Sequence, residues 1–203
     1  RVSAGVTSEM IFDTPDSIVY FITKYPTLEV VAKGRKATVT GDWNAAIFTS
    51  KAQDAAVTSY DMTNVVQLSE QPVAANENAL FFTAAPIEGS ANVVANGVCD
   101  SLLIHTRSEF ASAKAFTARK AVLVLDDAKA GEWNDVFMPF SAPLPYGMQG
   151  RVVNTIERSR LTVSNVREAE AMKPLLYLAD REGLNTIEAT DVALSTDTVG
   201  SLV

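Results

Sequence analysis

The apolar residues of this chain are gathered into short, strand-sized runs, each closed by a cluster of Asn, Gly, Pro, Asp or Ser. That punctuation limits the fold more than any other feature. Short runs rich in β-branched and aromatic residues and bounded by turn formers favour strands over helices. None approaches the roughly 18 consecutive apolar residues of a membrane-spanning helix; the longest are Ile18 to Ile22 and Val122 to Leu125. With 203 residues, 47% hydrophobic and 20% charged, the chain can bury a substantial core.

Two stretches depart from this pattern and predict helices. Residues 13–25 open on Asp13-Thr14-Pro15-Asp16-Ser17, which carry capping chemistry. Ile18, Phe21, Ile22 and Tyr25 then follow helical spacing, and Pro26 ends the segment. Gly41-Asp42-Trp43-Asn44 predicts a second helix through Phe48, with Asp42 as the cap and Trp43, Ile47 and Phe48 on one face. Strands are predicted at Leu28 to Val31 and Ala37 to Thr40, around the turn Lys33-Gly34-Arg35-Lys36. Further runs follow at Ala56 to Met62, Ala79 to Thr83, Ala91 to Val94 and Ser101 to His105. The spacing of Val39, Val57 and Leu80 is close to that of a leucine-rich turn, so this half reads as a short, irregular parallel stack.

From Phe116 onward the pattern changes. Six strands are predicted: Phe116 to Leu125, Trp133 to Phe140, Arg151 to Ile156, Arg160 to Val166, Leu175 to Ala179 and Val192 to Ser195. Their spacing and polar turns suggest an antiparallel β-sandwich. The expected fold is therefore mainly β (α+β): a leucine-rich-repeat-like helix and parallel-strand part over residues 1–108, then a sandwich over 109–203. The small, polar stretch from Thr106 to Ala115 would divide them.

Several segments, in order, carry a family resemblance. They are Asn78-Ala79-Leu80-Phe81-Phe82, Asn92-Val93-Val94-Ala95-Asn96-Gly97, Phe116-Thr117-Ala118, Trp133-Asn134-Asp135-Val136-Phe137-Met138-Pro139-Phe140 and Pro174-Leu175-Leu176-Tyr177-Leu178. Together they resemble the C-terminal region of secreted surface proteins of Bacteroidetes, including leucine-rich-repeat proteins of the BspA-like type. The resemblance implies export to the periplasm or cell surface, with any lipid anchor on a segment preceding Arg1, and it implies no enzymatic activity. It also marks Ser17, Ser101 and Thr198, each in an Asp-Ser/Thr-apolar triplet, as candidate O-glycan acceptors. The alternative is that each Asp simply caps a turn.

Residue counts exclude much chemistry. One His and one Cys forbid an internal disulfide and any zinc site built from several such ligands. His105 closes the apolar run Leu102-Leu103-Ile104 and reads as a strand-end histidine, while Cys99 reads as a small buried hydrophobe. Asp126, Asp127 and Glu132 lack the ligand spacing of a calcium loop, and Gly147-Met148-Gln149-Gly150 matches no phosphate-binding fingerprint. A net charge of −7 offers no electropositive footprint for nucleic acid. Trp43, Trp133 and Tyr146 are the aromatic candidates for ligand contact. Trp133 is expected to pack the sandwich, and Tyr146, between Pro145 and Gly147, is expected to be exposed.

The reading is a non-catalytic exported module for adhesion, binding or assembly, without metal or cofactor. It would engage a protein or glycan at the cell surface through loops such as Ala142 to Gly150. The alternatives are a glycan-active enzyme or accessory domain using paired carboxylates, and a structural spacer.

Overall fold

The computed structural model describes residues 7–13, 18–24, 27–157 and 160–196. They form a mainly β protein with a single short helix among the described residues. No helix among them is long and apolar enough to cross a membrane.

The first predicted helix is replaced by a hairpin: β1 (Thr7–Asp13) pairs antiparallel with β2 (Ile18–Lys24). Six of the seven β2 residues are β-branched or aromatic, and this preference for a pleated strand outweighs the helical spacing of Ile18, Phe21 and Ile22.

Eight strands form the main sheet. Six of them run from one edge inward: β3 (Glu29–Lys33), β4 (Lys36–Asp42), β5 (Ser59–Val66), β6 (Leu80–Thr83), β7 (Val93–Ala95) and β8 (Val98–His105). Beyond β8 lie β9 (Phe116–Val124) and, at the far edge, β16 (Thr186–Leu194). From β4 to β7 neighbouring strands are parallel, as the stack reading expects. Two hairpins interrupt this order. β3 and β4 turn at Gly34, and β7 and β8 turn at Asn96-Gly97, whose φ angles of 51° and 77° fit the tight turn that Asn-Gly favours.

The helix α1 (Ala45–Lys51) links β4 to β5. Its cap is Asn44, whose side chain accepts from the Ile47 N–H at 3.0 Å. The expected cap, Asp42, instead ends β4, so the helix begins two residues later than the Asp42 signal suggests.

Burial in β6 shows how the sheet is used. Leu80 and Phe82 join one core, whereas Ala79 just before the strand and Phe81 within it join another. Alternate residues of a strand point to opposite faces, so the two cores lie on opposite faces of the sheet here. Phe48 from α1 covers the second core, with ring centroids 5.3 Å from Tyr60 and 6.2 Å from Phe81. In β8, β9 and β16 the buried positions change parity at one level: Cys99, Ala118 and Val192 on one side, Leu102, Ala121 and Ile187 on the other. All six belong to the first core.

Four antiparallel strands make a second sheet, in the order β10 (Trp133–Phe137), β15 (Pro174–Ala179), β12 (Met148–Glu157), β13 (Arg160–Val166). Val136, Met148, Leu175 and Tyr177 from this sheet share the first core with β8, β9 and β16. A two-residue ladder, β11 (Ala142–Pro143) with β14 (Glu168–Ala169), completes the set. Two of the six strands grouped by sequence as a sandwich therefore lie elsewhere. β9 pairs parallel with β8, and β16 pairs with β9, in the main sheet.

Because β8 and β9 are parallel, the chain must cross over between them. It does so without a helix, through residues 106–115. Phe110 is buried under this strap, so its backbone polar groups need partners. Asn78 supplies them, donating to the carbonyls of His105 (2.8 Å) and Ser108 (2.7 Å) and accepting from the His105 N–H. Asn76 donates to the Glu109 carbonyl, and Ser59 Oγ bridges Ala111 and Ala113. Ion pairs Arg107–Glu77, Arg35–Glu109 and Lys114–Asp61 hold the outside.

Candidate functional site

The segment from Ala142 to Gly150 leaves β11 and enters β12 through a turn over Pro145–Met148. The Met148 N–H bonds to the Pro145 carbonyl at 3.0 Å, and Gly147 has φ of +90°. These are the marks of a type II turn, which places Tyr146 at its outer corner. Tyr146 is 90% exposed, in agreement with its expected position. The turn is pinned from behind. The Asp180 N–H donates to the Gly147 carbonyl at 3.1 Å, and a Cβ on Gly147 would come within 2.6 Å of the Asp180 carboxylate. The result is an exposed aromatic on a fixed backbone.

The start of the same segment lines a cleft of about 400 Å³, between β11–β14 and the edge formed by β9 and β16. Lys120, Ser141, Glu168, Glu188 and Thr190 supply its polar lining. Lys120 Nζ pairs with Glu188 at 3.1 Å, and Ser141 Oγ accepts from the Ala171 N–H at 2.9 Å. Two carboxylates and one ammonium give this cleft a negative balance. It suits a ligand rich in hydroxyl or amino donors. Among the described residues, no aromatic side chain lines it.

His105 lies where β8 meets the strap. Its Nδ1 is 3.0 Å from Asp126 Oδ1, while Asp126 Oδ2 accepts from the Arg107 N–H. Burial raises the Asp126 pKa. The hydrogen bonds from His105 and Arg107, with the cationic groups beside it, outweigh that effect and hold the carboxyl below its usual range. Glu77 is also held low, chiefly by its hydrogen bond from Arg107. Thr106 Oγ1 donates to Asp126 Oδ2 and accepts from the Asp126 N–H, and this network ties the strap to the chain after β9. Cys99 is fully buried. Burial pushes its thiol up to about 11, so it stays protonated at neutral pH.

Trp43 Nε1 donates to Glu70 at 3.0 Å, and its ring lies 5.4 Å from Phe48. Trp133, expected inside the sandwich, is 41% exposed on the outer face of the four-stranded sheet, with the Arg151 guanidinium 4.3 Å above its ring. An Arg in that place occupies a ring face that a sugar would need. Ser101 is half-buried in mid-β8, opposite Lys120. Ser17 and Thr198 lie outside the described residues. Among the described residues no group of three or more His, Cys, Asp or Glu side chains is placed to hold a metal ion.

Sequence reasoning picked the Tyr146 loop but missed the cleft, whose lining comes from segments far apart in the chain. It also assigned no role to Asn76, although an Asn just before a buried apolar run is a signal for a loop-satisfying side chain. No protein-family model, curated protein or solved structure matches this chain.

Proposed function

We propose that the protein is a non-catalytic binding module, exported and displayed at a cell surface, which engages a protein or glycan partner through the Ala142–Gly150 loop and the cleft beside it. The observation that carries this reading is Tyr146, 90% exposed on a turn fixed by Asp180. A rigid aromatic loses little conformational freedom on binding and offers both apolar area and a hydroxyl. The resemblance to Bacteroidetes surface proteins supports the export, and the acidic balance of −7 suits a soluble, displayed module.

The test is an unbiased array of glycans and host proteins probed with the whole chain. The reading expects a binder whose affinity falls roughly tenfold or more in Tyr146→Ala, the range of a modest hot spot. An array with no binder overturns it.

A second reading, a glycan-active domain, draws on Glu168 and Glu188 lining one cleft. It expects reducing ends to be released from a glycan panel and lost in Glu168→Gln and Glu188→Gln. Binding without any release favours the first reading.

A further inference from the structure

The open edges of the two larger sheets are not alike. β16 carries an interruption at Asp191, with φ of +53°, and β11 lies across the cleft beside it. β3 and β10 are five residues long; β3 begins and ends on charged side chains, and Asp135 sits in the middle of β10. These are the usual devices that protect an edge from pairing with another chain. β13 has none of them. It offers seven residues, Arg160-Leu161-Thr162-Val163-Ser164-Asn165-Val166, with no Pro, Lys or Gly and a single charge at its first position.

The end of the sheet face beside this edge is apolar. Ile156 and Leu161 face each other across β12 and β13 at 79% and 55% exposure, followed by Val153 opposite Val163. Leu176 and Leu178 of β15 and Trp133 of β10 continue the same face through the register. Arg151, bonded to Asn165 and lying over Trp133, separates these from the hairpin, so the apolar patch at the edge itself is Ile156, Leu161, Val153 and Val163, and an exposed apolar patch is a place for contact.

We infer that β13 is the self-association edge of this protein, pairing antiparallel with β13 of a second copy about a two-fold axis through Thr162. The sequence selects both partner and register. Keeping the two apolar faces on one side requires residues of equal parity to lie opposite each other. A centre at Thr162 sets Leu161 opposite Val163 of the partner, twice, Thr162 opposite its counterpart, and Arg160 opposite Ser164. A centre at Val163 would instead oppose Leu161 with Asn165. The Thr162 register opposes no like charges and puts apolar pairs on the apolar face, which is how cross-strand pairs stabilise a sheet. The product is one continuous antiparallel sheet of eight strands with an isologous interface. It is independent of any ligand in the cleft.

The experiment is sedimentation analysis of the whole chain from micromolar to sub-millimolar concentration, with cysteine cross-linking. The expected species has about twice the 21.8 kDa chain mass, and Thr162→Lys raises its dissociation constant roughly tenfold or more while leaving the thermal midpoint of the dilute monomer unchanged. Under mild oxidation Thr162→Cys gives a covalent dimer, since directly opposed strand positions lie near disulfide reach. Ser164→Cys alone does not, but a mixture of Arg160→Cys and Ser164→Cys chains does. Buried Cys99 does not compete. A monomer across the whole range overturns the inference, as does a Ser164→Cys chain that cross-links as readily as Thr162→Cys.

Discussion

The β4–β7 part of the main sheet and the β12–β13 hairpin use the same strand-forming residues to opposite ends. In the first, β6 is buried at all four positions and divides two cores. Its connections are closed by side chains: Asn76, Asn78 and Asn92 are all buried and hydrogen-bonded to carbonyls of the strap or of β8. In the second, the last seven residues of β12 and all seven of β13 are half-buried or exposed, apolar side chains included. Two-sided burial demands that every backbone group find a partner inside the protein. One-sided burial leaves groups free for water or for another chain. Stability is thus concentrated in the parallel region, and the capacity for contact in the antiparallel one.

The largest test of that contrast is Phe48→Ala. Phe48 is fully buried and touches Tyr60 and Phe81, so its loss should cost about 3–5 kcal/mol, read as a fall in the denaturation midpoint. Ile156→Ser, at a β12 position 79% exposed, should stay within about 0.5 kcal/mol. Equal effects would erase the distinction.

Asn78→Ala should follow closely. Asn78 is fully buried and closes three hydrogen bonds to the strap. Removing it strands two carbonyls and one N–H, at about 1–3 kcal/mol for each group that water cannot reach. Faster amide exchange confined to residues 105–115 would show the strap loosening before the sheet. Exchange that rises uniformly would argue against a strap held locally.

The two cores should respond alike to alkali, although they differ in strand direction. Tyr60 lies in one and Tyr177 in the other, and burial, the largest cause in each case, raises both phenols to about 12 from 10.0. Because the folded value is the higher, the stabilisation is complete below pH 10 and is lost as pH rises towards 12. Asp126 has the opposite sign. Its folded value is lowered from 3.8, so its contribution is present above that pH and lost as acid is added below it. Titrating stability in Asp126→Asn should shrink the acid limb, which Glu77 and Asp61 also feed, and remove about 1–3 kcal/mol at neutral pH, leaving the alkaline limb in place.

How much of this was legible follows from which forces are local. The turn at Lys33–Lys36, the parallel order of β4 to β7 and the exposed corner at Tyr146 were readable, because turn chemistry and apolar runs act over a few residues. The helix expected at 13–25 failed because Ile18, Val19, Ile22 and Thr23 are β-branched, and helical spacing cannot outweigh that once a partner strand is near. The Asn96-Gly97 hairpin carried a strong signal that went unused. The placement of β9 beside β8, and with it the cleft of Lys120, Glu168 and Glu188, depends on a crossover of the whole sheet. No window of sequence encodes that.

The smallest expected effect on folding is also the sharpest on contact. Tyr146 projects from its turn with 90% of its surface in water, so Tyr146→Ala removes almost no buried area and should leave the melting midpoint nearly unchanged, within about 0.5 kcal/mol. Gly147→Ala alters the same corner differently. At φ of +90° a Cβ strains the backbone, and it meets the Asp180 carboxylate at 2.6 Å, so about 1–3 kcal/mol should be lost. If a ligand found for the wild-type chain is lost in Tyr146→Ala at full stability, the aromatic ring itself makes the contact. If Gly147→Ala weakens binding while the exposed ring is still present, the fixed geometry of the turn matters as well, because a mobile tyrosine must be ordered anew each time it binds. Binding that survives both changes would move the contact surface away from this loop and onto the outer sheet face.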